Sequence, residues 1–179
     1  MKTLKLRRTA LLIFLLLPLL AVECYDEPFA PELPEATQTG KGTMAAKVNG
    51  VVWIAEGGLI GDNPEADYNF HSEGRLRFVG RDRRSDEVST INIQIRDMYD
   101  TGIFYAWGGD TFPDGTRMIF RGKGKSYSPE RSNPGSVEIT HFDTINHIVS
   151  GLFSFDGVCE NGDTVKVREG RFDIKYENL

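Results

Sequence analysis

The sequence predicts an all-β domain, an antiparallel β-sandwich or partly closed barrel built from hairpins. Three observations carry this. Ile91, Ile93 and Ile95 alternate with Asn92, Gln94 and Arg96, the period-two pattern of a strand with one buried and one wet face. Asn49-Gly50 sits between β-branched residues, and that dipeptide supplies the two positive-φ positions of a type I′ hairpin turn. Behind the leader no segment sustains a 3.6-residue apolar repeat, so nothing there argues for a helix.

The leader comes first in the chain. Met1 to Arg8 carries Lys2, Lys5, Arg7 and Arg8 and no acid, and Ala10 to Val22 is then almost unbroken apolar sequence that stops at Glu23-Cys24. That order marks a secretory signal over residues 1–23. The apolar run is short for a membrane span, which takes about 20 residues. Ala21-Val22-Glu23-Cys24 resembles a bacterial lipobox, which makes Cys24 the expected lipid attachment site. Glu23 departs from that pattern, because a small residue is usual there and a charge should fit the peptidase poorly. Ordinary signal-peptidase cleavage and an uncleaved signal-anchor are the alternatives, and no clear A-x-A site supports the first. Arg7-Arg8 matches the twin-arginine pattern only weakly. Tyr25-Asp26-Glu27 resembles the surface-export signal of Bacteroidetes-type lipoproteins. The expected location is the cell envelope, as an outer-membrane lipoprotein, with the two acids favouring its outer surface.

Cleavage before Cys24 leaves 156 residues with a net charge of −8, one domain's worth of chain. An acidic exported protein is a poor partner for nucleic acid or anionic headgroups. Cys24 and Cys159 are the two cysteines. With Cys24 acylated, Cys159 has no partner and no disulfide framework is expected. No second apolar run is long enough to cross a membrane, so the domain is expected to be tethered through its lipid rather than integral. Residues 24–42 lack periodicity, and Pro28, Pro31 and Pro34 recur every third residue, the repeat of polyproline II. They read as a tether, ordered or not, ahead of a single β-rich domain over residues 43–179.

Within that domain, Lys47 to Trp53 forms the first hairpin. Glu56 to Asp67 reads as a loop rich in Gly, Asp and Asn. Leu76 and Phe78 alternate with Arg75 and Arg77, and Ile103 to Trp107 is an apolar-aromatic run. Met118 to Phe120 follows the turn Pro113-Asp114-Gly115, and Lys123 to Gly135 reads as a loop. Val137 and Ile139 mark a strand, and Asp143 to His147 a turn. The return strand Ile148 to Phe155 carries Val149, Gly151, Phe153 and Phe155 on one face. After the turn Asn161-Gly162-Asp163, Val165 and Val167 set one phase, and Phe172, Ile174 and Tyr176 another. The slip of one residue predicts a β-bulge at Glu169-Gly170, where Gly is the usual residue.

Two stretches resemble a family of Bacteroidetes-type exported lipoproteins of unknown function. One is Ala36-Thr37-Gln38-Thr39-Gly40, followed by Val48-Asn49-Gly50 and Trp53. The other is Ile139 to Gly151, followed by Gly162 to Tyr176. They touch both ends of the mature chain and leave Leu59 to Ser136 unmatched. The resemblance implies a secreted β-rich lipoprotein and supplies no catalytic residue.

Candidate chemistry is sparse. His71, His141 and His147 lack metal-ligand spacing, and Cys159 lacks a Cys-x-x-Cys companion, so no metal or cofactor is expected. The acidic stretches Asp62–Asp67, Asp97–Asp100 and Asp156–Asp163 do not fit the EF-hand, and Asp, Asn and Gly are the commonest turn formers. A calcium site drawn from separate loops stays open. No G-x-S-x-G elbow, P-loop or HExxH occurs, and Gly122-Lys123-Gly124-Lys125-Ser126 lacks the leading glycine of a phosphate loop. With 25 acids in the mature chain, a hydrolytic carboxylate pair cannot be chosen from sequence. The arginines at 75, 77, 81, 83 and 84 read as a solvated, neutralised stretch. Tyr105, Trp107 and Phe112, with Tyr99 nearby, gather around Gly108-Gly109 and form the candidate ligand-binding residues, with core filler as the competing reading. The leading expectation is a non-enzymatic envelope module that binds an extracellular ligand or envelope protein. A secreted hydrolase of extracellular polymers and a purely structural envelope protein are the alternatives.

Overall fold

A computed structural model describes residues 31–56, 63–71, 74–107 and 115–179. Cys24, Phe112 and the Gly108-Gly109 loop lie outside them. The described chain is all-β, with two six-stranded sheets that do not close into a barrel, so the sandwich alternative holds.

The strands are β1 (Thr43–Val48), β2 (Val51–Ile54), β3 (Glu65–Asn69), β4 (Arg75–Asp82), β5 (Ser89–Ile95), β6 (Gly102–Ala106), β7 (Arg117–Gly122), β8 (Lys125–Tyr127), β9 (Gly135–Asp143), β10 (Ile148–Val158), β11 (Thr164–Lys175) and β12 (Glu177–Asn178). Sheet A runs β2-β1-β11-β10-β9-β6, and sheet B runs β12-β3-β4-β5-β7-β8. Among the described strands, β12 and β3 pair parallel and every other ladder is antiparallel. Asn49 and Gly50 take φ of 50° and 84°, as the type I′ turn requires.

Alternation builds the core. Leu76, Phe78, Ile91, Ile93, Ile95 and Met118 point inward from sheet B, and Met44, Val137, Ile139, Val149, Phe172 and Ile174 from sheet A. Trp53 reaches across from β2 because Gly80 has no side chain. A Cβ there would lie 2.8 Å from both the Trp53 ring and Met44 Sδ. Trp53 Nε1 donates to Ser89 Oγ at 2.9 Å, a polar link between the sheets that satisfies a buried indole.

The loop expected over Glu56 to Asp67 is shorter, since β3 begins at Glu65. Its inward residues are only Ala66 and Tyr68, too weak an apolar signal to stand out. β8 likewise lies inside the expected Lys123–Gly135 loop. Arg81 belongs to β4, and it pairs with Glu65 across the β3–β4 ladder.

The bulge stands where the phase slip puts it. Phe153 pairs with Gly170 but Phe155 pairs with Val167, so β11 carries one extra residue. The positive φ at the bulge falls on Glu169, at 51°, and not on Gly170. Gly170 is required for space instead. A Cβ on it would sit 2.5 Å from both the Phe153 ring and the Phe153 carbonyl oxygen. Gly151 is the counterpart, paired with Phe172 across the same ladder. Its Cβ would lie 2.0 Å from the Glu138 carbonyl oxygen and 2.7 Å from the Phe172 ring. Each glycine is thus covered by a phenylalanine of the other strand.

Residues 37–41, which the sequence places at the end of the tether, form a strap over the outer face of sheet A. Its anchor is Asp173, an outward residue only 1 % exposed. The carboxylate accepts from Thr37 Oγ1 (2.6 Å), Thr39 N (3.0 Å), Gly40 N (2.7 Å), Lys41 N (3.2 Å) and Ser150 Oγ (2.8 Å). Gln38 reaches on to Thr140 of β9, and Arg171 donates to the Pro34 carbonyl at 3.1 Å. Burial alone would push the Asp173 carboxyl up, but hydrogen bonds from Thr37, Ser150, Thr39 and Gly40 outweigh it and hold it down to about 2.

Candidate functional site

The two ends of the sandwich differ. At one end Tyr68, Phe142, Tyr176 and His147 stack in a continuous group, with ring centroids 5.2 to 5.6 Å apart. Tyr68 Oη donates to the Met98 carbonyl at 2.9 Å. Burial, then the neighbouring Tyr68 and Asp143, push the Tyr176 hydroxyl up to about 12. This end is sealed. His147 takes φ of 55° at the β9–β10 turn and bonds Asn178, a structural role.

The other end is open. The turns β1–β2, β4–β5, β7–β8 and β10–β11 surround a cleft of about 850 Å³. Pockets that hold small ligands span roughly 300–1,000 Å³. Trp53, Phe120 and Val165 are its buried floor, with Tyr127 half-buried beside Phe120 at a centroid distance of 5.9 Å. Val51, on the hairpin, is 71 % exposed at the mouth. An apolar floor and exposed mouth residues form because four hairpin turns end here without, among the described residues, a plug like that of the far end.

The rim charges divide into two sorts. Asp82 is bound by Arg84, through Nε at 2.9 Å and Nη2 at 2.6 Å. Burial pushes the Asp82 carboxyl up, but bonds from Arg84 and the Ile54 N–H leave it below its ordinary value. Asp163 is paired with Lys125, and that bond, followed by one from Asn161, lowers its carboxyl. Glu87 and Lys123 line the same cleft, and neither side chain has a hydrogen-bond or ion-pair partner among the described residues. Lys123 takes φ of 53°, followed by Gly124 at 68°, in a two-residue turn where Asn would be easier. A lysine in this region costs on the order of 1 kcal/mol. Asn49 Oδ1 accepts from Lys166 N at 2.8 Å, which fixes that hairpin tip and leaves its amide donors for the cleft.

The aromatic residues chosen from sequence part company. Tyr105 stands 58 % exposed on the outer face of sheet A, in a shallow hollow with Ile103, Leu152 and Gly170. Trp107 follows β6, half-buried in a separate hollow with Pro129, Arg131 and Cys159. The Arg131 guanidinium lies 6.0 Å from its ring centroid. Phe112 lies outside the described residues. Cys159 is a free thiol whose Sγ lies 2.6 Å from Asn161 Oδ1. Among the described residues no group of three His, Cys, Asp or Glu side chains could hold a metal ion.

No family model, no curated protein and no solved structure matches this chain. The cleft residues escaped the sequence reading because they come from four separate turns. Asn49-Gly50 and Lys123-Gly124 were the available signals, as paired turn dipeptides, but nothing in one dimension brings them together.

Proposed function

We propose that the chain is a lipid-anchored module of the cell envelope, at the outer membrane, that binds an extracellular glycan in the open end of its sandwich. The observation that carries this is the contrast between the two ends, one plugged by stacked rings and one opened into a cleft whose Glu87 and Lys123 side chains have no partner among the described residues. A sugar ring joins an apolar C–H face to a hydroxyl edge. The floor of Trp53, Phe120 and Val165, with Tyr127 beside it, suits the first, and Asn49, Glu87, Lys123 and Thr164 suit the second. Asp82 and Asp163 are each tied to a cation of the chain, Arg84 and Lys125, which suits a fixed rim. The leader and the resemblance to exported lipoproteins support the location.

The cleft is tested by glycan screening with the full chain in detergent. A ligand should emerge whose affinity falls about tenfold, roughly 1.4 kcal/mol, in Lys123→Glu or Glu87→Gln, with an unchanged melting temperature. Binding indifferent to both variants removes the cleft, and steady turnover of the glycan moves the protein to the hydrolases. The anchor is tested by Cys24→Ser, which should abolish fatty-acid labelling and leave unprocessed precursor. Unchanged labelling and size would exclude lipidation at Cys24.

A further inference from the structure

Four strands end the two sheets: β2 and β6 in sheet A, β12 and β8 in sheet B. A sheet edge is a template for another strand, and proteins usually blunt it. β2 is blunted by one ion pair. Arg84 Nη2 donates to the Val52 carbonyl at 3.1 Å, and the Asp82 carboxylate receives the Ile54 N–H. The pair takes the place of a neighbouring strand. β8 has three residues, and its Lys125 is tied to Asp163; β12 has two residues.

Among the described residues β6 has none of these protections. Its sequence, Gly102-Ile103-Phe104-Tyr105-Ala106, carries no charge and no proline. Only Ala106 has a further bridge, to Thr116. Beyond the β9 ladder, Gly102 to Tyr105 make no additional backbone hydrogen bond among the described residues. Ile103 and Tyr105 are 57 % and 58 % exposed on the outer face, next to the exposed Leu152 of β10.

We infer that the chain forms a two-fold dimer by antiparallel pairing of β6 with β6 of a second copy, which joins the two A sheets into one. The pattern is self-complementary. Pairing centred on Phe104 sets Ile103 opposite Tyr105 of the second copy, and Tyr105 opposite its Ile103. Directly opposed side chains have Cβ atoms about 4.5–5.5 Å apart, and aromatic–β-branched pairs are favourable. The exposed apolar groups of both copies then form one patch with the two Leu152 side chains. Because β2 is capped and β8 and β12 are short, the association closes at two copies instead of growing into a filament. It does not depend on the cleft.

The test is the mass of the full chain in detergent micelles by light scattering, with the detergent contribution subtracted. The wild type should have twice the chain mass, and Tyr105→Lys should halve it without lowering the melting temperature. Register is read by disulfide formation in a Cys159→Ser background, which retains Cys24 as a control. Mixed chains bearing Ile103→Cys and Tyr105→Cys should cross-link several-fold more than Ile103→Cys chains alone. A monomeric wild type, a dimer that survives Tyr105→Lys, or cross-linking without this register preference would overturn the inference.

Discussion

Gly151→Ala is expected to lower stability by at least about 3 kcal/mol, enough to leave little folded protein at 37 °C. The added Cβ would stand 2.0 Å from the Glu138 carbonyl oxygen. That oxygen belongs to backbone in the adjacent strand, so it cannot swing aside as a side-chain tip would. The Phe172 ring, 2.7 Å from the same point, is itself held in the core against Phe78 at a centroid distance of 4.3 Å. Gly170→Ala should behave alike, from the reciprocal contact with Phe153. Urea unfolding of both variants beside a Gly162→Ala control tests this, because Gly162 has positive φ but open space around it. The control should cost only about 1 kcal/mol. Equal losses in all three would show that backbone conformation, and not the missing side chain, is what these positions require.

Asp173→Ala should cost about 3 kcal/mol, because it removes the shared acceptor of five donors. The Ser150 hydroxyl and the strap N–H groups would be left without it. The same carboxylate predicts a pH dependence. Its folded value of about 2 lies below the ordinary 3.8, so the folded state prefers the ionised form. This stabilisation is fully present above about pH 4 and is lost as pH falls toward 2, a change of about 2 kcal/mol. Acid unfolding curves of wild type and Asp173→Asn should therefore converge at low pH. Parallel curves down to pH 2 would show that the carboxylate titrates as it does in the unfolded chain.

The sheet interior was legible because its strands alternate cleanly. Ile91, Ile93 and Ile95 are all fully buried, and the Val167-to-Phe172 slip located the bulge. What escaped has a common cause: a partner distant in the chain. β3 shows a weak alternation until Tyr68 is seen beside Phe142. Asp173 reads as an ordinary outward acid until residues 37–41 fold over it, 132 to 136 positions away. Ile103 to Trp107 reads as one apolar-aromatic run, and the structure turns Phe104 and Ala106 inward and Ile103 and Tyr105 outward. In a strand with apolar residues on both faces, alternation cannot say which face is wet. The cleft was the least legible feature, as its rim is shared among four turns.

The strap also determines where tension enters the fold. A pull transmitted through Pro34 meets Arg171 and Asp173 before it reaches β1. Both residues lie on β11, an interior strand with β1 on one side and β10 on the other. The force is therefore delivered to the middle of sheet A. Were the strap unattached, the same pull would act on β1, one strand from the edge, and could strip it away rung by rung. Rungs stressed together yield at a higher force than rungs stressed in succession. A chain pulled by its first residues is in this way gripped at a strand paired on both sides rather than at one beside the sheet edge.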